Sequence, residues 1–313
     1  MSRILHTDKY LMRKRIILIS IIVGIVVSCD LLIGAVTKDA ILNVKDVGVN
    51  QTNTVQAFFK RTADVLILGP STANHHYDCR IIEDSLGLTC YNAGRDGQNI
   101  VYSDMVLEGF LTRCTPKLVI LDITCPSLAD DWMNSLNQFN CYYGFLKPID
   151  DIIDSIGTLI DRVKRISNIY RYNKTWEWLL NSHFSVEKKD LNGYRPMRKN
   201  VNATFEAKES HRIFTINRKC EKFLNRSIEI CKKNNIEVIM ACSPSMGISK
   251  GNFINFISNY CVNHNIPFLN WNGDTVYTKH SELFYDVDHL NSEGAALFTK
   301  DFITRYKGIS TRK

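Results

Sequence analysis

The sequence lacks the C-x-x-C motif, although it contains ten cysteines. This absence excludes a zinc ribbon. The cysteines stand singly, many of them within apolar runs such as Ile239-Met-Ala-Cys242. We therefore predict that most of them are small core residues, while their spacing does not reveal whether any two form a disulfide.

The body of the chain also has little net charge. The total is +7 over 313 residues, but residues 1–15 hold five basic residues and one acidic residue. Subtracting this +4 leaves +3 for the remaining 298 residues. Basic clusters interleaved with aromatic residues are missing, so we expect no nucleic-acid partner. The 45% hydrophobic and 23% charged content excludes a disordered chain and indicates a globular one.

One long hydrophobic run is present, at residues 16–36, and it contains a single charged residue, Asp30. At about 1.5 Å per residue it is long enough to cross a hydrocarbon layer of about 30 Å. The flanking Arg13-Lys-Arg15 predicts a cytoplasmic segment at residues 1–15 and an extracytoplasmic body, periplasmic or at the cell surface. A cleaved signal peptide is the alternative, and Val26-Val-Ser-Cys29 resembles a lipoprotein cleavage box. The 15-residue leader is long for such a signal, so an uncleaved membrane anchor is favoured.

The rest of the chain divides into a predicted stalk at residues 37–62, a domain at 63–306 and a tail at 307–313. Short apolar runs predict strands at residues 65–68, 88–92, 118–121, 237–241 and 267–269. Helical patterns alternate with them at residues 79–86, 99–113, 213–234, 253–263 and 291–306. This alternation predicts an α/β fold with a parallel sheet between layers of helices.

Residues 125–210 interrupt the alternation and are predicted to be a largely helical insertion. Apolar residues at helical spacing indicate one amphipathic helix over residues 152–166. An aromatic-rich segment follows, with Trp176 and Trp178. These aromatic residues either pack onto the core or form a lid that stacks on a sugar above the active site.

Three stretches with chemically capable side chains fall at predicted strand ends or before the last helix. They are Gly69-Pro-Ser71, the Asn92-Ala-Gly-Arg-Asp-Gly97 loop, and Asp286-Val-Asp-His289. The carboxyl ends of parallel strands share one edge of a sheet, so these side chains can meet there. A serine needs a base to take its proton, and a histidine needs a carboxylate to orient it. The pattern therefore predicts Ser71 as nucleophile, His289 as base and Asp286 as its partner. Gly94 and Gly97 are predicted to let the backbone approach a substrate closely, with a free N–H there at an oxyanion.

Two other kinds of site are not supported. The glycine-rich loop does not fit a dinucleotide fingerprint, because no acidic residue ends the next strand at the required place. His75 and His76 lack a third ligand for a metal ion and are interpreted as structural or rim residues. We therefore expect no metal and no cofactor.

The three stretches resemble blocks I, II and V of the SGNH (GDSL-type) hydrolase superfamily, and the His289-Leu-Asn-x-x-Gly294 continuation resembles its membrane-anchored bacterial members. The resemblance covers roughly residues 63–124 and 212–306. It implies a three-layer sandwich with a flavodoxin-like sheet, and it gives Ser71, Gly97, Asp286 and His289 the roles above. Pro70 stands where the family has an aspartate.

A second departure concerns the family's third block, which supplies an oxyanion asparagine after the third strand. This chain has Leu121-Asp-Ile-Thr-Cys-Pro-Ser127 there and no asparagine. The loss of one oxyanion donor costs about 3–4 kcal/mol of transition-state stabilisation. The hydroxyls of Thr124 and Ser127 are the candidate replacements, and the backbone N–H groups of Ser71 and Gly97 remain as donors.

These features predict a serine esterase or O-acyltransferase that acts on ester-linked acyl groups, chiefly acetyl, of cell-envelope or extracellular glycans. A membrane-bound acyl-donor protein is then a candidate partner. The candidate substrate-binding residues are Asn74, Asn92, Trp176 and Trp178. The alternative is a catalytically weak glycan-binding or assembly partner of a membrane acyl-transfer system, which the two departures favour.

Overall fold

A computed structural model describes residues 2–129, 136–185, 191–198 and 206–310. Its main sheet has five parallel strands in the order β2-β1-β3-β5-β7. The strands are β1 (Val65–Leu68), β2 (Cys90–Asn92), β3 (Leu118–Asp122), β5 (Glu237–Cys242) and β7 (Phe268–Asn270). Two further strands, β4 (Lys208–Ser210) and β6 (Gly247–Ser249), form a small parallel sheet of their own.

The α-helices surround the sheet or form the two additions to it. Those that follow strands of the main sheet are α3 (Ser71–His76), α4 (Cys79–Leu86), α5 (Ile100–Leu111), α6 (Cys125–Ala129), α12 (Arg218–Lys233), α13 (Phe253–His264), α14 (Thr275–Thr278) and α15 (Ser292–Ser310). The N-terminal addition is α1 (Ser2–Asn43) and α2 (Asn50–Val55), and a π-helix follows it at Gln56–Lys60. The insertion holds α7 (Leu136–Phe139), α8 (Lys147–Ile156), α9 (Leu159–Lys164), α10 (Asn168–Arg171) and α11 (Thr175–Phe184).

The strand order is flavodoxin-like, because the main strands run 2-1-3-4-5 when numbered along the chain. The predicted α/β fold with a parallel, flavodoxin-like sheet is therefore confirmed. The direction of winding reverses between β1 and β3, which pair with Leu66 opposite Val119. Ligands of such sheets bind at this reversal, beyond the carboxyl ends of the strands.

Both faces of the sheet are covered, which makes three layers. Leu66 and Leu68 of β1 point into one buried cluster, which includes α5 and α12. Val65 and Ile67 point into the other, which includes α4 and α15. All four strand residues are apolar because a parallel sheet buries both of its faces.

Residues 44–60, predicted as part of a stalk, belong instead to the core of the domain. Val55, Ala57 and Phe58 are completely buried, and the Phe58 ring lies 5.3 Å from that of Tyr142 in an edge-on contact. The mixed polarity of the segment misled the prediction, because residues 52–58 are all buried although several of them are polar, such as Asn53 and Gln56.

The predicted single helix at residues 152–166 is two helices, α8 and α9, separated at Gly157. Gly157 is extended, and Thr158 starts α9 by accepting a hydrogen bond from the N–H of Asp161. The Asp161 carboxylate accepts from the N–H of Thr158 in return, which completes a capping box. Strand β4 at the end of the insertion was not predicted, because three exposed residues carry no periodic signal.

Helix α1 is long and apolar enough to cross a membrane, although a signal sequence has the same properties. Its C-terminal end packs against the domain, where Ile41 is fully buried. The ten cysteines all lie within the described residues and form no disulfide; six of them are buried, as predicted.

A substitution tests whether residues 44–60 belong to the folded core. We expect Phe58→Ala to lower the free energy of unfolding by about 3–5 kcal/mol, because it empties a buried aromatic site. Phe184→Ala is the matched control, since Phe184 is 81% exposed, and its expected change is below about 0.5 kcal/mol. Urea unfolding of the full chain in detergent measures both, and equal changes would mean that this segment is a separate stalk.

Candidate active site

Ser71 is the first residue of α3, directly after β1 and the Gly69-Pro70 turn. The carboxylate of Asp122 holds this turn of the chain, because the Thr72 hydroxyl donates a hydrogen bond to it. Asp122 ends β3, the strand next to β1. Ser71 therefore stands at the point where the sheet reverses its winding, on a backbone fixed from the neighbouring strand.

The structure brings the serine and histidine predicted from the sequence into contact. The distance between Ser71 Oγ and His289 Nε2 is 2.7 Å. On its other side, His289 Nδ1 lies 2.9 Å from both carboxylate oxygens of Asp286. If Nδ1 carries the proton and donates to Asp286, then Nε2 is left to accept the proton of the serine hydroxyl.

Asp286 is held as an anion by its surroundings. Its Oδ1 accepts hydrogen bonds of 2.9 Å from the backbone N–H groups of Asp288 and His289. Burial by itself would raise the pKa of Asp286, but the His289 ring and these two N–H groups lower it below its ordinary value. Asp288, the other acid beside the histidine, accepts from the Ser245 hydroxyl at 3.3 Å instead.

A buried histidine positions the loop that carries His289. The backbone N–H of Leu290 donates to His76 Nε2 at 3.0 Å, while His76 Nδ1 lies 3.1 Å from the Ser243 hydroxyl. Complete burial lowers the pKa of His76 well below its usual range, and the neighbouring His289 and His75 rings lower it further. His76 is therefore neutral and able to accept the hydrogen bond from the loop.

The chain from His76 ends at Asp122. The Ser243 hydroxyl donates to the Asp122 carboxylate at 3.1 Å, and the Tyr77 hydroxyl donates to it at 3.1 Å as well. Burial raises the pKa of Asp122 to about 6, even though these donors and the Thr72 hydroxyl act against the rise. Sequence reasoning missed this network; an acid that ends an otherwise apolar strand, as in Val119-Ile-Leu-Asp122, was the available signal.

The loop after β2 brings Gly97 to the cleft. Gly97 has a φ of +65°, a left-handed conformation that favours glycine. Gly94 has a different function from the predicted approach to substrate: a Cβ there would lie 2.4 Å from the backbone nitrogen of Asn74. Gly94 thus allows the loop to pack directly against α3.

The segment that replaces the missing asparagine block also lies at the cleft. The N–H of Thr124 donates to the Ser127 hydroxyl at 3.1 Å, and that hydroxyl donates to the Thr124 carbonyl at 2.7 Å. Ser127, one of the candidate replacements, is therefore occupied by its own turn. Thr124 is half-buried and lines the cleft.

A cleft of about 270 Å³ opens beside Ser71 and His289. Its walls are the serine turn, the Gly97 loop, the Thr124 segment and the chain around β6, together with the Phe253 ring. The side chains that give it polar character are Thr72, Gln98, Thr124, Ser127, Ser243, Ser245, Ser249, Asn272 and Asp288.

Two of the predicted substrate contacts are structural residues. Asn92 is completely buried: its amide donates to the carbonyls of Ala73 at 2.7 Å and Tyr77 at 3.2 Å, and its oxygen accepts from the N–H of Gly94. Asn74 is also completely buried, and its amide donates to Asp96 at 2.9 Å. Neither side chain lines the cleft; both brace the helix that begins at Ser71.

Trp176 and Trp178 were predicted as further substrate contacts, and the structure places them elsewhere. Both belong to α11 and pack against the core cluster beneath the insertion. Trp176 lines a depression beside the end of α1, and Trp178 lines a separate pocket with Arg95 and Arg171. The aromatic segment is therefore a packing element of the insertion, the first of the two alternatives.

His75 also has protein partners. Its Nδ1 lies 2.6 Å from the carbonyl of Arg195, and its Nε2 lies 3.0 Å from Asp96 Oδ1, the distance of an ion pair. Burial would raise the pKa of Asp96, but His75 and the nearby asparagine amides lower it well below its usual range. Within the described residues, no group of three or more His, Cys, Asp or Glu side chains is placed to hold a metal ion.

The fold and the site together define an α/β domain with a serine–histidine–aspartate arrangement at the reversal of its sheet. No family model matches the chain, and no curated protein matches it. A solved structure from Bacteroides fragilis, provisionally named an acylhydrolase, is similar over 85% of this chain and 99% of its own, with 13% identity and a TM-score of 0.40. A gut microbial diltiazem-metabolizing enzyme is similar over 79% of this chain and 47% of its own, with 15% identity and a TM-score of 0.29. Similarities this low carry no argument about the reaction.

The buried Asp122 predicts a dependence of stability on pH. The raised pKa of Asp122 means that the folded state keeps its proton while the unfolded state loses it between about pH 4 and 6. Over that range we expect the free energy of unfolding to fall by about 3 kcal/mol relative to an Asp122→Asn variant, and then to level off. Urea unfolding at several pH values measures the difference between the two proteins. Parallel profiles would contradict the raised pKa.

Proposed function

We propose that this protein is a serine esterase or O-acyltransferase of the SGNH type, with Ser71, His289 and Asp286 as its catalytic residues. The observation that carries the proposal is the pair of contacts made by one imidazole ring, to the Ser71 hydroxyl at 2.7 Å and to the Asp286 carboxylate at 2.9 Å. Geometry of this kind activates a serine for attack on a carbonyl carbon.

In the first half-reaction, Ser71 Oγ attacks the carbonyl carbon of an ester while His289 Nε2 takes the hydroxyl proton. The tetrahedral intermediate carries its negative charge on the former carbonyl oxygen. The N–H groups of Ser71 and Gly97 and the hydroxyl of Thr124 are the proposed donors to this oxygen. The intermediate then expels the alcohol, which receives the proton from His289, and the acyl group remains on Ser71.

In the second half-reaction, His289 takes a proton from an acceptor hydroxyl, which attacks the acyl group on Ser71. Collapse of the second tetrahedral intermediate returns the proton to Ser71 Oγ. Water as acceptor gives hydrolysis, and a sugar hydroxyl gives transfer to a glycan. Asp286 stays ionised throughout and stabilises the imidazolium that forms in both halves.

The cleft supports a short acyl group on a polar substrate. A volume of about 270 Å³ lies just below the ~300–1,000 Å³ of typical small-molecule sites, which favours acetyl over longer acyl chains. The hydroxyl and amide side chains around it suit the hydroxyl groups of a sugar. We therefore propose acetyl esters of cell-envelope or extracellular glycans as the substrate class.

We further propose that α1 is an uncleaved anchor and that the cleft lies outside the cytoplasm. The basic residues Arg13 to Arg15 precede the apolar part of α1, as the positive-inside rule requires for that orientation. In this position the enzyme would reach envelope glycans, and a membrane-bound acyl-donor protein would be its partner in transfer.

Labelling of the serine tests the proposed nucleophile. We expect a fluorophosphonate probe to label Ser71 and the full chain to hydrolyse p-nitrophenyl acetate, with Ser71→Ala abolishing the label and lowering the rate by about 10⁴-fold or more. Ser258→Ala, which alters a serine of α13 outside the cleft, is the control and should keep both. Equal rates for the protein and its Ser71→Ala variant would overturn the proposal.

The orienting carboxylate makes a separate prediction. Asp286→Asn should lower kcat by about 10³–10⁴-fold, because an amide allows the wrong tautomer of His289. Asp288→Asn should cost far less, since Asp288 contacts Ser245 and not the histidine ring. Steady-state kinetics of the two variants compare the acids directly. A larger loss of kcat for Asp288→Asn would mean that Asp288, and not Asp286, orients the histidine.

The missing oxyanion asparagine supports a second candidate function, that of a glycan-binding or assembly partner with little catalysis. Its consequence is distinct: Ser71→Ala would leave binding of O-acetylated glycan unchanged, and release of acetate from that glycan would not exceed the rate without protein. Acetate release by the unaltered chain decides between the two functions.

A further inference from the structure

Helices α9 and α10 expose an unusual concentration of apolar side chains. The insertion patch, as we name it, consists of Leu159, Ile160, Val163, Ile166, Ile169 and Tyr170. Its first four residues are 76%, 64%, 59% and 80% exposed. Exposed apolar side chains concentrated within twelve consecutive residues in this way mark a contact with a partner or a membrane.

The patch is attached to α1 through the turn that begins α10. Asp30 of α1 accepts hydrogen bonds from the Ser167 hydroxyl at 2.7 Å, from the N–H groups of Asn168 and Ile169 at 2.9 Å, and from the Asn168 amide at 3.0 Å. One turn further along α1, a Cβ on Gly34 would lie 2.5 Å from the Asn168 side chain. The start of α10 therefore lies directly against α1 between these two positions.

This attachment sets the depth of the patch relative to a bilayer that α1 would span. Asp30 and Gly34, which contact the start of α10, lie 15 and 19 positions after Arg15 at the basic flank, which corresponds to about 22 and 28 Å along a helix. The hydrocarbon layer is about 30 Å thick. The start of α10, and with it the patch residues Ile169 and Tyr170, thus lies in the outer part of this layer, next to the outer headgroups.

The hydrogen bonds from the insertion offset the cost of placing Asp30 on an apolar helix. A carboxylate on an apolar membrane helix is costly unless it is paired or hydrogen-bonded. The four donors from the insertion satisfy Asp30 and cover it on one side of α1. The same contacts hold the apolar side chains of the insertion next to the membrane segment.

The polar residues beside the patch suit the same position. Lys164 lies over the ring of Tyr170, with 5.5 Å between its ammonium nitrogen and the ring centroid. Arg162 is on the same short helix, and its guanidinium lies 4.0 Å from Asp154. Tyrosine rings with neighbouring cations are characteristic of the headgroup layer, where the ring contacts acyl chains and the cation contacts phosphates.

We propose that the insertion patch is a second membrane-binding element, embedded in the outer interfacial layer of the bilayer that α1 spans. This inference rests on the anchoring part of the proposed function and is independent of the reaction. Continuity with α1 favours lipid as the occupant of the patch over another protein. The catalytic domain is then fixed to the membrane at two points.

Photocrosslinking of the full chain in phospholipid nanodiscs tests the proposal. p-Benzoylphenylalanine replaces Ile166 in one protein, Leu159 in a second and Val262 in a third; Val262 is 75% exposed on α13, away from the insertion. After irradiation, mass spectrometry should show lipid adducts at positions 166 and 159 at about tenfold the level at position 262, since embedded side chains contact acyl chains.

Equal lipid adducts at the three positions would overturn the proposal, and so would crosslinks from positions 166 and 159 to a second polypeptide in place of lipid. Fluorophosphonate labelling of the same samples keeps the two proposals apart. Labelling of Ser71 without lipid adducts would refute the membrane-binding patch and leave the proposed esterase standing. Lipid adducts without labelling of Ser71 would support the membrane-binding patch and refute the proposed esterase.

Discussion

The contact between Ser71 Oγ and His289 Nε2 joins residues that are 218 positions apart in the sequence, and the rest of the site depends on it. Packing between α3, which begins at Ser71, and α15, which follows His289, holds the two ends of the domain together. The Tyr77 ring meets Phe298 edge-on with 5.0 Å between centroids, and Phe302 at 5.5 Å. The buried aromatic cluster thus sets the position of two polar side chains at its rim.

Beneath this contact lies a layer of buried polar groups that holds both of its residues in place. His76 fixes the backbone beside His289, and through Ser243 it is bound to Asp122, which also holds the turn after Ser71. The serine side and the histidine side of the site therefore share one anchor at the end of β3. This arrangement accounts for an ionisable group in a strand that is otherwise apolar.

Much of the fold could be predicted from the sequence because the strands of a parallel sheet are short, apolar and followed by turn residues. Strand β1 and helix α4 have the predicted bounds, and the last helix begins where it was predicted, with Asn291 accepting hydrogen bonds from the N–H groups of Glu293 and Gly294. The meeting of Ser71, His289 and Asp286 followed from the same logic, because strand order places their loops at one edge.

The parts that could not be predicted depend on contacts between distant segments. From the sequence, Asn92 was predicted to contact a ligand. Only the path of α3 shows that its amide instead donates hydrogen bonds to backbone carbonyls. The supposed stalk has mixed polarity, and it is buried by contacts with distant segments, such as those of Phe58 with Tyr102 and Tyr142. The break at Gly157 depends on a single residue within a pattern that continues on both sides of it.

Helix α1 runs without interruption from Ser2 to Asn43, and its last turns are packed into the domain, where Ile41 is buried. A helix of this kind has no joint at which the domain could swing. Whatever holds the first part of α1 therefore sets both the height and the tilt of the cleft. The cleft is thereby confined to a thin shell at a fixed distance from that support, and a molecule outside the shell cannot reach it.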